Sequence, residues 1–184
     1  TLATNALINR TGARTAFVTT SGFRDVVEMR TESRFEQYDL NLVLPTPLIQ
    51  RRDRHVLAER IGADGTVLLP FDEAEAEALA RHLAGGTGEG PYESVAVGFM
   101  HAYRNGDHER RLREVLTRHL PDTSISISSE VAPQMREFER FNTVCANAYL
   151  RPLMAGYLRR LEGQLHAAGA SCPVYLIHSG GGLR

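Results

Sequence analysis

The sequence predicts an α/β fold with a mixed sheet and flanking helices, and three observations lead to this prediction. Residues 94–100 (SVAVGFM) form a continuous apolar run, which is typical of a strand covered on both faces. A β-branched run at 14–19 leads directly into helical apolar spacing at 23–29. Strand-like and helix-like segments then alternate along the chain, which favours helices layered against a sheet.

The stretch 31–70 is predicted to be a loop and hairpin excursion. Residues 31–54 include two prolines and follow neither a period of 2 nor one of 3.6, so we expect a long surface connection there. The segments 55–61 and 66–69 are separated by a four-residue turn that contains Asp64-Gly65. An Asp-Gly step tolerates the positive φ of tight turns, so these two segments are predicted to form a β-hairpin.

Two shorter helices and two further strands are predicted after residue 70. Asp72, with Glu75 three residues later, is typical of a helix start, and Gly85-Gly86 is expected to end that helix. A second helix is predicted at 107–119. The predicted strands lie at 123–128 and 173–177.

The longest helical pattern follows Pro133, and its apolar residues recur at helical spacing as far as Leu165. Pro152 lies inside this pattern and lacks the backbone N–H that a helix interior uses. We therefore expect a kink or a break near Leu150.

Composition excludes several classes of function. The net charge is −1 and all 21 positive residues are arginine, so neither a basic nucleic-acid surface nor a catalytic lysine is expected within this stretch. No apolar run approaches the ~18 residues that cross a bilayer. Cys145 and Cys172 are too few for a disulfide scaffold and are not spaced for zinc. These features predict a soluble cytoplasmic protein with reduced cysteines.

Three segments after predicted strands could carry chemistry, because ligands of α/β sheets gather beyond the carboxyl ends of strands. Residues 19–22 (TTSG) would hold an anion or simply cap a helix. His101 and the pair His108-Glu109 could meet at a metal, but structural histidines are the preferred reading, and no metal site is predicted. The glycines at 180–182 would approach a phosphate or form a flexible end.

Alternating charges begin the long helix, at Arg136, Glu137, Glu139 and Arg140. Such a pattern usually forms a solvated face whose charges pair with one another. The alternative is a polar patch that faces a cleft or a partner.

Several collinear motifs resemble the N-terminal domain of the hydantoinase A and 5-oxoprolinase family. They are residues 3–8 (ATNALI), 12–25 (GARTAFVTTSGFRD), 38–40 (YDL), 101–109 (HAYRNGDHE), 128–131 (SSEV) with 137–140 (EFER), 147–152 (NAYLRP) and 179–183 (SGGGL). The resemblance extends over essentially all of residues 1–184, which is identified as an internal fragment of that region.

The resemblance implies an actin-like, ribonuclease-H-like ATPase fold with ATP and Mg²⁺ bound between two halves. It implies an ATP-dependent hydrolase that opens cyclic amides of the hydantoin or 5-oxoproline type by phosphorylating the carbonyl oxygen. It also implies a B-type partner subunit. The alternatives are an acetone-carboxylase-like subunit and a non-catalytic module that docks the B subunit.

The family's phosphate turns are not found in this chain, so the fragment is expected to be inactive alone, to bind ATP weakly and to border the nucleotide cleft without forming it. The residues expected at that border are Thr1, Thr4, Asn5, Ser179, Gly180, Gly181 and Gly182. The residues expected to contact substrate or a subunit are Tyr38, Asp39, Glu139 and Arg140. No catalytic residue is assigned. Exposed sheet edges also make self-association an expectation.

Overall fold

A computed structural model of the protein describes residues 2–31, 38–86 and 90–175. Thirteen elements are found in these ranges. In chain order they are α1 (Leu2–Ile8), β1 (Thr15–Thr20), α2 (Val26–Met29), a 3₁₀ turn (Arg51–Asp53), β2 (Arg54–Leu57), β3 (Arg60–Ile61), β4 (Val67–Leu69), α3 (Glu73–Ala84), β5 (Ser94–Gly98), α4 (Asp107–His119), β6 (Ser124–Ile127), α5 (Ser128–Val131) and α6 (Glu137–Ala167).

In the described ranges, the main sheet has four strands in the order β2-β1-β5-β6. Every pairing in it is parallel, with Phe17 opposite both Arg54 and Ala96, and with Val97 opposite Ile127. The α/β class is confirmed. The prediction of a mixed sheet is wrong for the part of the chain that the structure describes, because the antiparallel pair β3-β4 forms a separate sheet.

The predicted hairpin strand at 55–61 divides into two strands with different partners. Arg54–Leu57 joins the main sheet beside β1, and only Arg60–Ile61 pairs with Val67–Leu69. Leu57 is fully buried, and burial of this kind favours a place in the main sheet over an exposed hairpin. The excursion therefore contributes a strand to the fold as well as a loop and a hairpin.

The side chains of the central strands alternate between two apolar layers. Val18 and Val97 pack on one face with residues of α3 and α4, while Phe17 and Ala96 pack on the other face with Phe141 and its neighbours from α6. All five residues of β5 are buried. The prediction of a strand covered on both faces is thus confirmed, as parallel sheets require.

The predicted helices are confirmed with small changes. The Asp72 side chain accepts hydrogen bonds from the backbone N–H groups of Ala74 and Glu75, while the Glu75 carboxylate accepts one from the Ala58 backbone instead of completing a capping box. The helix at 107–119 has the predicted bounds. The long helix α6 continues through Pro152, so the chain does not break there. The alternative, a kink near Leu150, stays a prediction.

The chain forms two compact units, 1–152 and 153–184. The first contains both sheets and the two apolar layers. In the second, the continuation of α6 carries Tyr157 and Leu165 with exposed side chains. Residues 173–175 form no strand, and the rest of the strand predicted at 173–177 lies outside the described residues.

Candidate functional site

Polar residues follow the carboxyl ends of all four strands of the main sheet. Thr20 ends β1, Glu59 is the second residue after β2, His101 is the third after β5, and Ser128 directly follows β6. Because parallel strands end at the same edge of a sheet, these residues belong to one edge, which we call the carboxyl edge. Ligands of open α/β sheets bind at such an edge.

The first network at this edge joins β1 to α4. The Thr20 hydroxyl donates to Glu59 Oε1 and accepts a hydrogen bond of 2.9 Å from the backbone N–H of Met100. The other Glu59 oxygen lies 2.7 Å from Nδ1 of His108. Glu59 and His108 are both buried, so the carboxylate holds the imidazole in one orientation.

The second network surrounds the carboxylate of Glu109. Its oxygens accept hydrogen bonds from the backbone N–H of Phe99 (2.9 Å), the hydroxyl of Ser128 (2.6 Å) and the backbone N–H of Ser129 (2.7 Å). Burial raises the pKa of Glu109, and these three donors oppose that rise. The carboxylate thereby links the ends of β5 and β6 to α4.

Arg140 completes the second network from α6. Its guanidinium donates to the Phe99 carbonyl oxygen (2.8 Å) and to the Ser128 hydroxyl (2.6 Å), and it lies 3.9 Å from Glu109. The side chains of Arg140 and Glu109 are both 0% exposed. Burial lowers the pKa of Arg140, while the negative charge of Glu109 raises it. Removing Arg140 would leave the buried Glu109 carboxylate without this cation, whereas removing Glu109 would leave Arg140 paired with Glu137 at 3.2 Å.

Three side chains of the loop after β5 contact backbone carbonyl oxygens of the hairpin β3-β4. Nδ1 of His101 lies 2.9 Å from the Ile61 carbonyl oxygen. Arg104 Nε donates to the Ala63 carbonyl (3.5 Å), and Asn105 Nδ2 donates to the Gly65 carbonyl (3.1 Å). The hairpin is therefore fixed beside the carboxyl edge. Within the ranges that the structure describes, no three metal-ligating side chains come together, and His101 and His108 have separate partners.

The opposite edge, at the amino ends of the strands, has a different character. The Tyr92 hydroxyl donates to Asp53 (2.8 Å), and the Arg14 guanidinium lies over the Tyr92 ring. Burial, together with the hydrogen bond to Asp53, raises the pKa of Tyr92 to about 12. A cavity of about 280 Å³ opens beside this cluster and is lined in part by Gly12 and Tyr149.

The structure separates the residues that the sequence placed at a functional site. Thr4 and Asn5 are exposed on α1. Tyr38 is 94% exposed, and the exposed Asp39 accepts a hydrogen bond from the backbone N–H of Asn41. Glu139 is exposed, with Arg136 4.0 Å away. Thr1 and residues 179–182 lie outside the described residues.

Arg140 requires a correction. The sequence placed it beside Glu139 in a charged face that contacts solvent, substrate or a subunit, but its side chain is turned inward to Glu109 and the sheet. The two neighbours therefore have opposite environments. The parts of both networks missed in the sequence are Glu59 and Ser128. Both fell inside the strands predicted at 55–61 and 123–128, whereas the structure ends those strands at Leu57 and Ile127.

Family comparisons agree with this architecture. Residues 1–120 match the profile described as the hydantoinase/oxoprolinase N-terminal region, and residues 140–184 match the profile described as hydantoinase/oxoprolinase. The chain belongs to the hydantoinase/oxoprolinase family. The resemblance read from the sequence motifs is thus confirmed.

Relatives within this family include enzymes with named substrates. The caprolactamase alpha subunit of Pseudomonas jessenii is 34% identical over 185 residues, which cover 100% of this chain and 26% of that protein. An uncharacterized protein of Methanocaldococcus jannaschii is 35% identical, with 27% of its length covered. The 5-oxoprolinase of Saccharomyces cerevisiae is 29% identical, with 16% covered. The chain therefore spans about a quarter or less of these relatives.

Two solved structures share the fold. The ATP-dependent caprolactamase from Pseudomonas jessenii aligns with the whole chain at a TM-score of 0.88 and 33% identity, over 26% of its own length. Nucleotide-free acetone carboxylase aligns with a TM-score of 0.81 at 21% identity, over 27% of its length. At that lower identity the second likeness shows the fold alone. No helix in the described ranges is both long and apolar enough to span a membrane.

Proposed function

We propose that this chain is part of an ATP-dependent hydrolase that opens a cyclic amide. The observation that carries the proposal is the alignment of the whole chain with the caprolactamase structure at a TM-score of 0.88 and 33% identity. The 5-oxoprolinase relative has a name that implies an internal amide as well. We further propose that the complete protein adopts an actin-like, ribonuclease-H-like ATPase fold.

The chemistry of a cyclic amide explains why such an enzyme would use ATP. An amide carbonyl is a poor electrophile, and phosphorylation of its oxygen by ATP would create a leaving group. The protein then has to position the reactants and neutralise the developing charge. The carboxyl edge suits the positioning role, because its two buried networks fix the ends of all four strands.

The described residues do not by themselves fit ATP or Mg²⁺. Thr4 and Asn5 are exposed side chains on the seven-residue helix α1. The described part of the chain also lacks a cluster of carboxylate and histidine groups for a cation. We therefore propose that this chain borders a nucleotide cleft that other parts of the full-length protein form, with Thr1, Thr4, Asn5 and residues 179–182 at the border.

We also propose that the protein works with a B-type subunit in the cytoplasm. The names of two relatives, a caprolactamase alpha subunit and an acetophenone carboxylase gamma subunit, imply multi-subunit enzymes. The segment from Tyr38 to Val43 supports a contact surface in this chain, because Tyr38, Leu40 and Val43 are at least 90% exposed. Asp39 belongs to the same segment. A homo-oligomer is a further outcome that sizing of the complete assembly would reveal.

Glu139 is the remaining surface candidate for subunit contact. Its side chain is about half exposed, whereas that of Arg140 is inaccessible. In the full-length protein, Glu139→Arg should weaken co-purification with the B-type subunit if this face is the interface. Tyr38→Ser is the matched test of the surface from Tyr38 to Val43. Retained assembly in both variants would refute subunit contact at either surface.

A carboxylase function is the second candidate. The acetophenone carboxylase gamma subunit of Aromatoleum aromaticum is 27% identical to 99% of the chain. The amide hydrolase is favoured because the caprolactamase alpha subunit reaches 34% over the same span. A ketone and a cyclic amide would pose the same activation problem, so the two candidates differ in the substrate and in the nucleophile that follows.

The test is ring opening by the full-length protein with its partner subunit. Caprolactam, 5-oxoproline and hydantoin would each be incubated with ATP and Mg²⁺, and the ring-opened acid would be quantified together with ADP. Acetone and acetophenone with bicarbonate serve as the control panel. ATP-dependent opening of one amide supports the proposal, while turnover of a ketone alone would replace it with the carboxylase.

A further inference from the structure

The backbone of His101 has an uncommon conformation at the carboxyl edge. Its φ is 53°, in the left-handed region that few residues other than glycine adopt, although histidine is among the more tolerant. Strained residues of this kind cluster at ligand sites and switches. His101 is also the third residue after the fully buried strand β5, where α/β proteins place ligand-binding groups.

The side chain of His101 has one ring nitrogen in a hydrogen bond and one without a partner among the described residues. Nδ1 lies 2.9 Å from the Ile61 carbonyl oxygen. Because a carbonyl oxygen only accepts hydrogen bonds, Nδ1 carries a proton, and in that tautomer Nε2 is the acceptor of the ring. No residue in the described ranges bonds to Nε2, and the ring is partly exposed.

The surrounding loop holds this ring in place. Arg104 and Asn105 bind the hairpin carbonyls of Ala63 and Gly65 independently of His101. The Tyr103 ring packs at the edge of the imidazole, with 6.2 Å between ring centroids. The hairpin thus has two other anchors, and Nε2 contributes to none of them. An oriented acceptor that the fold does not use is suited to a ligand.

We propose that Nε2 of His101 accepts a hydrogen bond from the ring N–H of the cyclic amide, a role that rests on the proposed function. The chemistry of the reactants identifies the donor. Phosphate oxygens and the amide carbonyl oxygen only accept hydrogen bonds, so they cannot pair with Nε2 when Nε2 is itself an acceptor. Among the reacting groups the ring N–H is the donor. A ketone has no such donor, so the same contact would select amides over ketones.

The test separates this role from a structural one by a matched substitution. In His101→Asn the side-chain amide can still donate to the Ile61 carbonyl, and asparagine tolerates a positive φ, but the acceptor at Nε2 is lost. We expect an unchanged urea midpoint and a roughly 10- to 100-fold lower kcat/KM for the N–H amide. His101→Ala, which removes both nitrogens, is the control for the hairpin contact.

The readout is the ratio of kcat/KM for caprolactam to that for N-methylcaprolactam, or for 5-oxoproline and its N-methyl derivative if the wild type opens 5-oxoproline. The full-length protein with its partner subunit is used throughout. We expect a high ratio in the wild type and a ratio near one in His101→Asn. The ratio does not depend on the amount of folded enzyme, so it stays informative for a less stable variant.

The outcomes distinguish the two proposals. Amide opening by the wild type, combined with an unchanged N–H preference in His101→Asn, would overturn the role of His101 alone. A wild type that opens none of the amides would overturn the proposed function and the role of His101 together. Collapse of the preference in His101→Asn with normal stability supports both.

Discussion

The two edges of the parallel sheet differ in how their polar groups are held. At the carboxyl edge, Glu109 and Arg140 have side chains that are 0% exposed and share donors and acceptors with the strand ends. At the amino edge, Asp53 pairs with Tyr92 and lines an open cavity of about 280 Å³. Fully enclosed networks have no water to replace a lost partner. We therefore expect the carboxyl edge to be the more rigid of the two.

Breaking the charged pair of the carboxyl edge should give the largest effect. Arg140→Met leaves the Glu109 carboxylate buried without its cation, which costs about 3 to 5 kcal/mol of unfolding free energy. Urea denaturation of the wild type and the variant measures this loss. The double variant Arg140→Met/Glu109→Gln should lose less than the two single variants combined. A single-variant loss below about 1 kcal/mol would mean that water reaches this pair.

One methyl group placed at each edge sharpens the comparison. A Cβ on Gly98 would lie 2.6 Å from Cδ1 of Phe141 and 3.1 Å from the Phe17 ring, and both rings are fully buried. Gly98→Ala should therefore cost about 1 to 3 kcal/mol of stability through overpacking.

Gly12→Ala is the matched variant at the amino edge. Its Cβ would lie 2.2 Å from the Tyr149 ring, but this ring lines the open cavity, and we expect it to turn into that space. We expect a cost below about 1 kcal/mol. Equal losses in the two variants, measured by urea unfolding, would show that the amino edge is as rigid as the carboxyl edge.

The pH dependence of stability gives the smallest expected effect. Burial, reinforced by the neighbouring His82, lowers the pKa of His55 from 6.5 to about 4. Between pH 6.5 and about 4 the unfolded chain binds a proton at His55 and the folded chain does not. The contribution of the neutral His55 to stability is therefore complete above pH 6.5 and is lost as the pH falls towards 4. Because His55 is partly exposed, we expect about 1 to 2 kcal/mol.

His55→Phe tests this contribution while keeping an aromatic ring beside Tyr92. The wild type should lose about 1 to 2 kcal/mol more stability than the variant between pH 6.5 and pH 4. Urea midpoints measured across that range give the difference. Parallel pH profiles for the two proteins would contradict the lowered pKa of the partly buried His55 at the amino edge.

Local signals in the sequence were sufficient to predict the helices and the central strand β5. The start of α3 and the burial of β5 follow from a capping residue and an apolar run that each lie within one segment. The place of Arg54–Leu57 beside β1 was missed because the pairing joins segments that are distant in sequence. A short apolar run predicts a strand but not its neighbour.

The candidate site was harder to predict for the same reason. Arg140 belongs to an alternating charged run that normally indicates a solvated face, and only its contacts with Glu109 and the Phe99 carbonyl reveal that it is buried. The positive φ of His101 carries no signal in its own residue type. The family motifs identified the segments that contain Arg140 and His101. The contacts of each side chain could be read only from the tertiary structure.

The most direct test of the account is calorimetric titration of Mg²⁺-ATP into this chain and into the full-length protein. The account assigns this chain the rigid frame that borders the nucleotide cleft and assigns the phosphate-binding groups to other parts of the protein. It predicts saturable binding by the full-length protein and no measurable binding by the chain alone. Tight binding of Mg²⁺-ATP by the isolated chain would contradict it.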